Sequence, residues 1–370
     1  MASMYRVGVI GRTGRGDYGH GIDVCWKDVP QTQVVAVADE HEGGRAKAAK
    51  ATGAKTAYAD YREMLEKESL DIVGVGPRWI DQHHEIVTAC LVHGCHVYME
   101  KPFVRSLDEA DAIVKLCEMK HLKLAIAHTN RYSPVVAAVQ KLIAAGELGD
   151  ILEYRGRGKE DAKRGGAEDL WVLGTHMLDL MRMFAGDATQ CFATVTNNGK
   201  PIGSGDIVDG SEGIGPLAGD AVDAVYTLPK GAKGYFASHR GAASNPSRFG
   251  LQILGTKGIV FIPSGYLVPA FYLKDGSWSP GRSGAKWQTV TSAGIDRPET
   301  LQGTGLHFGN IAAVKDLIGA IEKDRQPLSN VYDGRAAVEM IAACFESQRI
   351  RKPVAIPLVN RRNPLTMLDS

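Results

Sequence analysis

The chain has 370 residues, 44% hydrophobic and 23% charged, with 43 Lys+Arg against 42 Asp+Glu for a formal net charge of +1. That length suits two domains with large cores, and the balanced charge excludes a general nucleic-acid or membrane-surface role. The six cysteines form no CxxC and lie mostly in apolar runs; no run has the length of a membrane span or the layout of a signal peptide, so the expectation is a cytoplasmic protein with reduced core thiols.

Over the first 125 residues, apolar runs at 5–10, 33–38, 70–75, 95–99 and 122–126 alternate with helical patterns at 19–28, 43–52, 60–68, 81–93 and 107–119. This alternation predicts βαβ units and a doubly wound parallel sheet with helices on both faces. Ser133-Pro134 then opens a helix as N-cap and first-position proline, and Gly146 ends it. Strand patterns follow at 150–157, 188–196, 221–228, 233–239, 248–254, 257–262 and 286–290, with helical patterns only at 175–185, 307–322 and 333–350. Strands grouped apart from helices predict an α+β domain with a large, mainly antiparallel sheet. The expected division is 1–129 and 130–370. Residues 274–305 are rich in Gly, Ser and Pro and predict a long loop over the substrate side of the second domain.

The first strand run ends at Gly11, and Gly14-Arg15-Gly16-Asp17-Tyr18-Gly19 has G-x-G-x-x-G spacing three residues late. Strand, glycine turn, helical pattern, second strand and a terminal Asp39 together form a dinucleotide-binding Rossmann pattern with an expanded loop. Gly11, Arg12, Thr13 and Gly14 are the expected phosphate-side residues, with Arg15 as a further partner and Asp17 turned away. Asp39 can accept hydrogen bonds from an adenosine ribose and repels a 2′-phosphate, which favours NAD over NADP. Arg45 is the counter-argument, expected on the solvated face of its helix.

Further motifs are AVADE at 36–40, YADYREML at 58–65, GPRWIDQHHEI at 76–86, MEKPF at 99–103, NRYSP at 130–134, GTHMLDLM at 174–181 and DGRAAVEMI at 333–341. With the opening loop, they make the sequence resemble the glucose-fructose oxidoreductase / inositol dehydrogenase / MocA family over nearly the whole chain. The most telling pair is EKP after the fourth strand run with a later G-x-H-x-x-D. The resemblance implies an NAD(P)-dependent oxidoreductase and a homo-oligomer, a dimer or tetramer built on the second-domain sheet. It places Lys101 against the nicotinamide and the reacting hydroxyl, with Glu100 and Lys101 both beside the cofactor. An ammonium next to a cationic nicotinamide loses proton affinity, so Lys101 could exchange protons near neutral pH. His176 is then the second proton-handling group, expected to meet Lys101 across an interdomain cleft. Asp179, at i+3 on the same helix, could orient its imidazole or accept a substrate hydroxyl.

Pro77, Arg78 and His83 match the family's cofactor-side turn after the third strand run, here two residues longer, with Trp79 as a wall of the nicotinamide ribose pocket. Arg131, Arg157, Lys159 and His239 are candidate substrate contacts, from NRY, from the charged run RGRGKED at 155–161 and from a strand end. Arg131 has an equal alternative, a structural pair with a carboxylate. Many relatives carry an Asp in the proton relay four residues before the histidine; here that residue is Val172. Glu168 or Asp169 could replace it only through a different bend. The expected reaction is hydride transfer between the nicotinamide and a secondary hydroxyl of a sugar, cyclitol or polyol. The alternatives are a redox-neutral glycosidase or lyase using transient oxidation and elimination, and a non-catalytic nucleotide- or sugar-binding regulator. No metal-ligand spacing occurs.

Overall fold

Short apolar runs, buried on both faces, make the strands of the first sheet. In the computed structural model, which describes residues 4–368, they are β1 (Tyr5–Ile10), β2 (Thr32–Ala38), β3 (Thr56–Tyr58), β4 (Ile72–Val75), β5 (His96–Met99) and β6 (Leu124–Ile126). All pair in parallel in the order β3-β2-β1-β4-β5-β6. The strand order reverses between β1 and β4, and ligands of open α/β sheets collect in the crevice at such a switch point. Helices Glu42–Thr52, Tyr61–Lys67, His83–Val92 and Leu107–Lys120 connect the strands.

Two elements differ from the sequence expectation. The short strand β3 has only three residues, too few to show alternation. More consequential, no α-helix spans 19–28; a set of turns leads into the single 3-10 turn Cys25–Asp28. Gly19 and Gly21 adopt left-handed φ of 64° and 90° there, which stops a right-handed helix from starting. Trp26 packs against β4 instead: a Cβ on Gly74 would lie 3.1 Å from its indole nitrogen.

The first compact unit comprises residues 1–129, 211–215 and 306–338; the second comprises 130–210, 216–305 and 339–370. The chain thus returns to its first unit after position 300, a step that no linear boundary at 129 contains. Helix Leu306–Glu322 packs against Cys25–Asp28 and β6 within that first unit.

In the second unit the sheet runs from its edge through Gly294–Ile295, Gln288–Thr291, Ala270–Leu273, Ile259–Pro263, Gly250–Gly255, Ile151–Arg157, Lys233–His239, Ala221–Thr227 and Gln190–Asn197 to Val354–Ala355. Every neighbour along this path is antiparallel except Ile151–Arg157 with Lys233–His239, which is parallel. One face is covered by helix Thr175–Ala185 and by residues 339–350, where Ser347 Oγ accepts from Ala193 N at 3.0 Å and Met340 O from Tyr226 Oη at 3.0 Å. Residues 274–305 are not a free loop. They supply the two edge strands, and Trp278 Nε1 donates to Gly255 O at 2.9 Å. Among the described residues no helix is long and apolar enough to cross a membrane.

Candidate active site

The added residues of the glycine loop form a closed hairpin. Arg12 N donates to Asp17 O at 2.9 Å and Asp17 N returns a bond to Arg12 O at 3.0 Å. Gly11 N donates to Ala38 O, Thr13 N to both Asp39 carboxylate oxygens at 3.1 and 3.2 Å, and Gly14 N to Asp17 Oδ1 at 2.9 Å. The N–H groups expected to cradle a diphosphate, from Gly11 to Gly14, are therefore already engaged by the chain. Gly11 serves packing instead, since a Cβ there would lie 2.3 Å from the Tyr18 ring. Asp17 turns its carboxylate into the hairpin, onto Gly14 N. Arg15 is committed elsewhere: its guanidinium stacks 4.8 Å from the Trp79 ring centroid and pairs with Asp81 at 3.0 Å.

Asp39 ends β2 but is almost wholly buried, and Thr13 Oγ1 and His41 N also donate to it, at 2.7 and 3.0 Å. Its carboxylate ties the hairpin to the sheet, a role the expected ribose contact did not include. Arg45 departs from the solvated face: its Nη1 donates to the Asp39 carbonyl at 2.6 Å, which folds the half-buried side chain back over the end of β2. Beside it, a pocket is lined by Gly11, Arg12, Asp39, Glu40, Ala59, Tyr61 and Gln82. Arg12 Nη2 reaches Glu40 at 3.8 Å, while its Nη1 is buried without a hydrogen-bond partner. A buried guanidinium nitrogen left unsatisfied is costly without an acceptor, and an anionic or hydroxylated ligand would supply one.

His83 is fully buried, with Nε2 at 2.7 Å from Pro77 O and Nδ1 at 2.8 Å from Pro102 O and 3.0 Å from Phe103 O. It is a strut between two turns and offers no ring nitrogen to a cofactor, which corrects its expected role. Arg78 is half-buried, and a Cβ on Gly16 would lie 2.5 Å from its backbone nitrogen. Glu100 and Lys101 follow β5 directly, both buried. Lys101 N donates to Glu100 Oε2 at 3.1 Å. His20, which the sequence pattern did not single out, meets the other oxygen: its backbone N–H and its ring Nδ1 lie 2.8 and 2.7 Å from Glu100 Oε1.

In the second unit, Leu170–Gly174 forms a π-helical turn between Ala167–Asp169 and Thr175–Ala185. Such turns add a residue to a helix and re-aim the side chains beyond it, often at functional sites. Val172 lies buried within it, and His176 is buried in the next turn. Asp169 does not replace the missing relay: its Oδ2 accepts from Ser238 Oγ at 2.5 Å and Glu160 N at 3.0 Å, and burial raises its pKa. Asp179 is taken by Arg131, whose Nε donates to Oδ2 at 2.8 Å with both side chains buried. Arg131 thus has the carboxylate partner that its structural alternative calls for, through Asp179 Oδ2. The charged run is also self-contained. Buried Glu160 accepts from Arg157 at 2.6 Å, Arg248 at 3.0 Å and His239 N at 3.1 Å. The His239 ring pairs with Asp223 at 3.0 Å, and Lys159 is exposed. Arg157 lines the uncovered face of the sheet. These contacts engage Arg157 and the His239 ring within the second unit and leave Lys159 exposed.

Comparison with known proteins agrees with this architecture. Residues 5–128 match the GFO_IDH_MocA model described as an oxidoreductase family, NAD-binding Rossmann fold, and residues 140–356 match the model of its C-terminal alpha/beta domain. Levoglucosan dehydrogenase of Pseudarthrobacter phenanthrenivorans is 26% identical over 63% of this chain and 65% of its own length. D-Apiose dehydrogenase of Paraburkholderia graminis is 26% identical over 50% of this chain and 51% of its own. The match thus spans only half to two thirds of these relatives, whereas inositol 2-dehydrogenase of Rubrobacter xylanophilus, 23% identical, aligns over 94% of this chain and 92% of its own. A solved levoglucosan dehydrogenase in complex with NADH superposes with a TM-score of 0.78 at 21% identity, over 96% of this chain and all of that one (100%), a likeness of fold.

Proposed function

We propose a function from one premise: the chain belongs to the glucose-fructose oxidoreductase / inositol dehydrogenase / MocA oxidoreductase family, with residues 5–128 as that family's NAD-binding domain. The reaction we infer is oxidation of a secondary hydroxyl on a sugar, cyclitol or related polyol. The observation that carries it is Lys101, buried at the carboxyl end of β5 beside the switch point of the sheet, with Glu100 behind it. NAD, when bound, supplies the hydride acceptor. Lys101 accepts the hydroxyl proton, and His176 is proposed as the second group that holds or passes it on. The residues present fit the cofactor. Arg12 offers its unsatisfied Nη1, and Pro77 and Arg78 line the turn after β4, against which Gly16 of the glycine loop packs.

The test is absorbance near 340 nm with purified protein, NAD and a panel of sugars and polyols. Reduction supports this reading. Product formation with no net absorbance change supports the redox-neutral elimination, which Val172 in place of an acidic relay keeps open. Ligand binding without turnover of any panel member would leave only a binding role.

NAD is expected to bind about tenfold or more tightly than NADP, a difference of about 1.4 kcal/mol or more. Glu40, 72% exposed at the end of β2, would face a 2′-phosphate, while Arg45 spends its Nη1 on the Asp39 carbonyl. Titration of both dinucleotides at low salt checks this; tighter NADP binding that is lost in Arg45→Ala would reverse it.

A homo-oligomer through the second-unit sheet is the partner this reading favours. Its uncovered face presents Arg155, Phe192, Val225, Tyr235 and Phe261, with Phe192 44% exposed. Exposed aromatic surface of this kind calls for a partner. Light scattering is expected to show a multiple of the 39.8 kDa chain, and Phe192→Asp a shift to the single chain. An unshifted mass would assign the assembly to another face. The buried free thiols fit a reducing compartment such as the cytoplasm.

A further inference from the structure

We infer that His20 is a positioning residue for the reaction, acting on Lys101 through Glu100: its protonation decides how firmly Lys101 holds its own proton. The inference rests on the reading of Lys101 as proton acceptor.

The geometry is specific. Gly19, with φ of 64°, brings the backbone so close to Glu100 that a Cβ there would lie 2.5 Å from Cγ and Oε1. That approach lets His20 contact one carboxylate oxygen twice, through N–H and Nδ1. A carboxylate only accepts, so Nδ1 carries a hydrogen in this contact. His20 is held from behind as well: Asn310 Nδ2 donates to its carbonyl at 2.9 Å, and Asn310 Oδ1 accepts from Tyr98 Oη at 2.7 Å. Tyr98 belongs to β5, the strand that Glu100 follows. Two contacts therefore join His20 to Glu100, and Asn310 ties the His20 backbone to the strand before it.

Glu100 is 1% exposed, and a buried carboxylate needs a compensating cation. Burial alone would raise its pKa, yet the hydrogen bond and charge of His20 and the charge of Lys101 hold it below the ordinary range. Two groups that can be cationic thus bear on one carboxylate, His20 through its ring contact and Lys101 as the next residue, whose N–H the carboxylate holds. His307, on the helix that carries Asn310, pairs with Asp28 at 2.8 Å. With His20 protonated, Glu100 is already neutralised and Lys101 releases its proton more readily. With His20 neutral, Glu100 favours the Lys101 ammonium. Protons on His20 and Lys101 oppose each other through the carboxylate, and the pH profile belongs to the set.

Oxidation needs uncharged Lys101, so the rate rises with pH, and His20 extends activity toward the acid side. His20→Gln retains a hydrogen-bond donor but never a charge. Its rising kcat limb is expected to move up by about one pH unit, the scale of a 1.4 kcal/mol interaction. A second readout needs neither substrate nor cofactor: competitive acetylation of Lys101 by acetic anhydride across pH, read by peptide mass spectrometry. Its midpoint should move up by the same amount, and in a Glu100→Gln background His20→Gln should add no shift. Midpoints that stay put or move down in folded His20→Gln overturn the inference, including an even loss of kcat at every pH. A moved acetylation midpoint alongside normal turnover in Lys101→Ala would support the linkage and end the proton-acceptor reading instead.

Discussion

Lys101→Ala is expected to lower turnover about a hundredfold or more, the usual scale for losing general acid–base help. Lys101 lies two residues past the end of β5 and is buried beside the carboxyl edge of the sheet, where substrates of such folds gather. Its N–H is fixed by Glu100 at 3.1 Å, so truncating the side chain removes the amine while leaving the backbone contact in place. NAD binding should remain largely intact, because the hairpin bonds of Thr13 to Asp39 and the Arg12 side chain are untouched. His176→Ala is expected to lower turnover on the same scale if it carries the second proton transfer. Turnover with the substrate found by the panel and NAD titration of each variant check the pair. Near-normal turnover in both would end this mechanism.

Arg131→Ala is expected to destabilise the second unit by about 3–5 kcal/mol, the cost of leaving one member of a buried ion pair uncompensated. Both partners are sequestered, with side-chain exposures of 6% for Arg131 and 1% for Asp179, and Arg131 Nη2 also donates to the Asp179 carbonyl at 3.3 Å. Removing the guanidinium strands the carboxylate on the helix that carries His176. Denaturant melts of the variant measure the loss. The double variant Arg131→Met, Asp179→Leu is expected to recover much of it, since it removes both charges and keeps apolar volume. A single variant as stable as the parent would show the pair to be accessible to water and would return Arg131 to the substrate side.

The parallel sheet, the antiparallel sheet and the position of Lys101 were legible because each rests on local pattern: apolar runs of strand length, and a motif at a strand end. What escaped was set by long-range contact or by backbone sign. A helix over 19–28 looked sound by periodicity, but Gly19 and Gly21 take positive φ, and composition cannot say which glycines will. Arg45, His83 and Asp39 have the expected residue types at the expected places, yet their polar atoms turn to carbonyls, or in Asp39 to a threonine and two N–H groups, that folding alone brings within reach. Arg157 and His239 looked like a ligand-binding run because Glu160, the acid that gathers Arg157 and the His239 backbone, was counted among the charges and not as their centre. His20 was hidden for the opposite reason. Its partner is neither of the acids beside it in sequence, Asp17 and Asp23, but Glu100, 80 positions away.

The return of residues 306–338 to the first unit bears on how the chain is made. A ribosome delivers β1 to β6 first, yet Asn310, which holds the His20 carbonyl and Tyr98, emerges long after them. Strand Ile151–Arg157 waits too, because its neighbours are Lys233–His239 and Gly250–Gly255. Neither half can reach its final packing while the nascent chain is short, and pairings this distant in sequence slow folding and prolong exposure of unpaired strand edges. A fragment ending at 129 would emerge without the helix that braces its glycine turn. Expression of this protein in pieces should therefore yield aggregation-prone material, and co-expression of residues 306–338 with the first 129 should rescue it where the shorter piece alone fails.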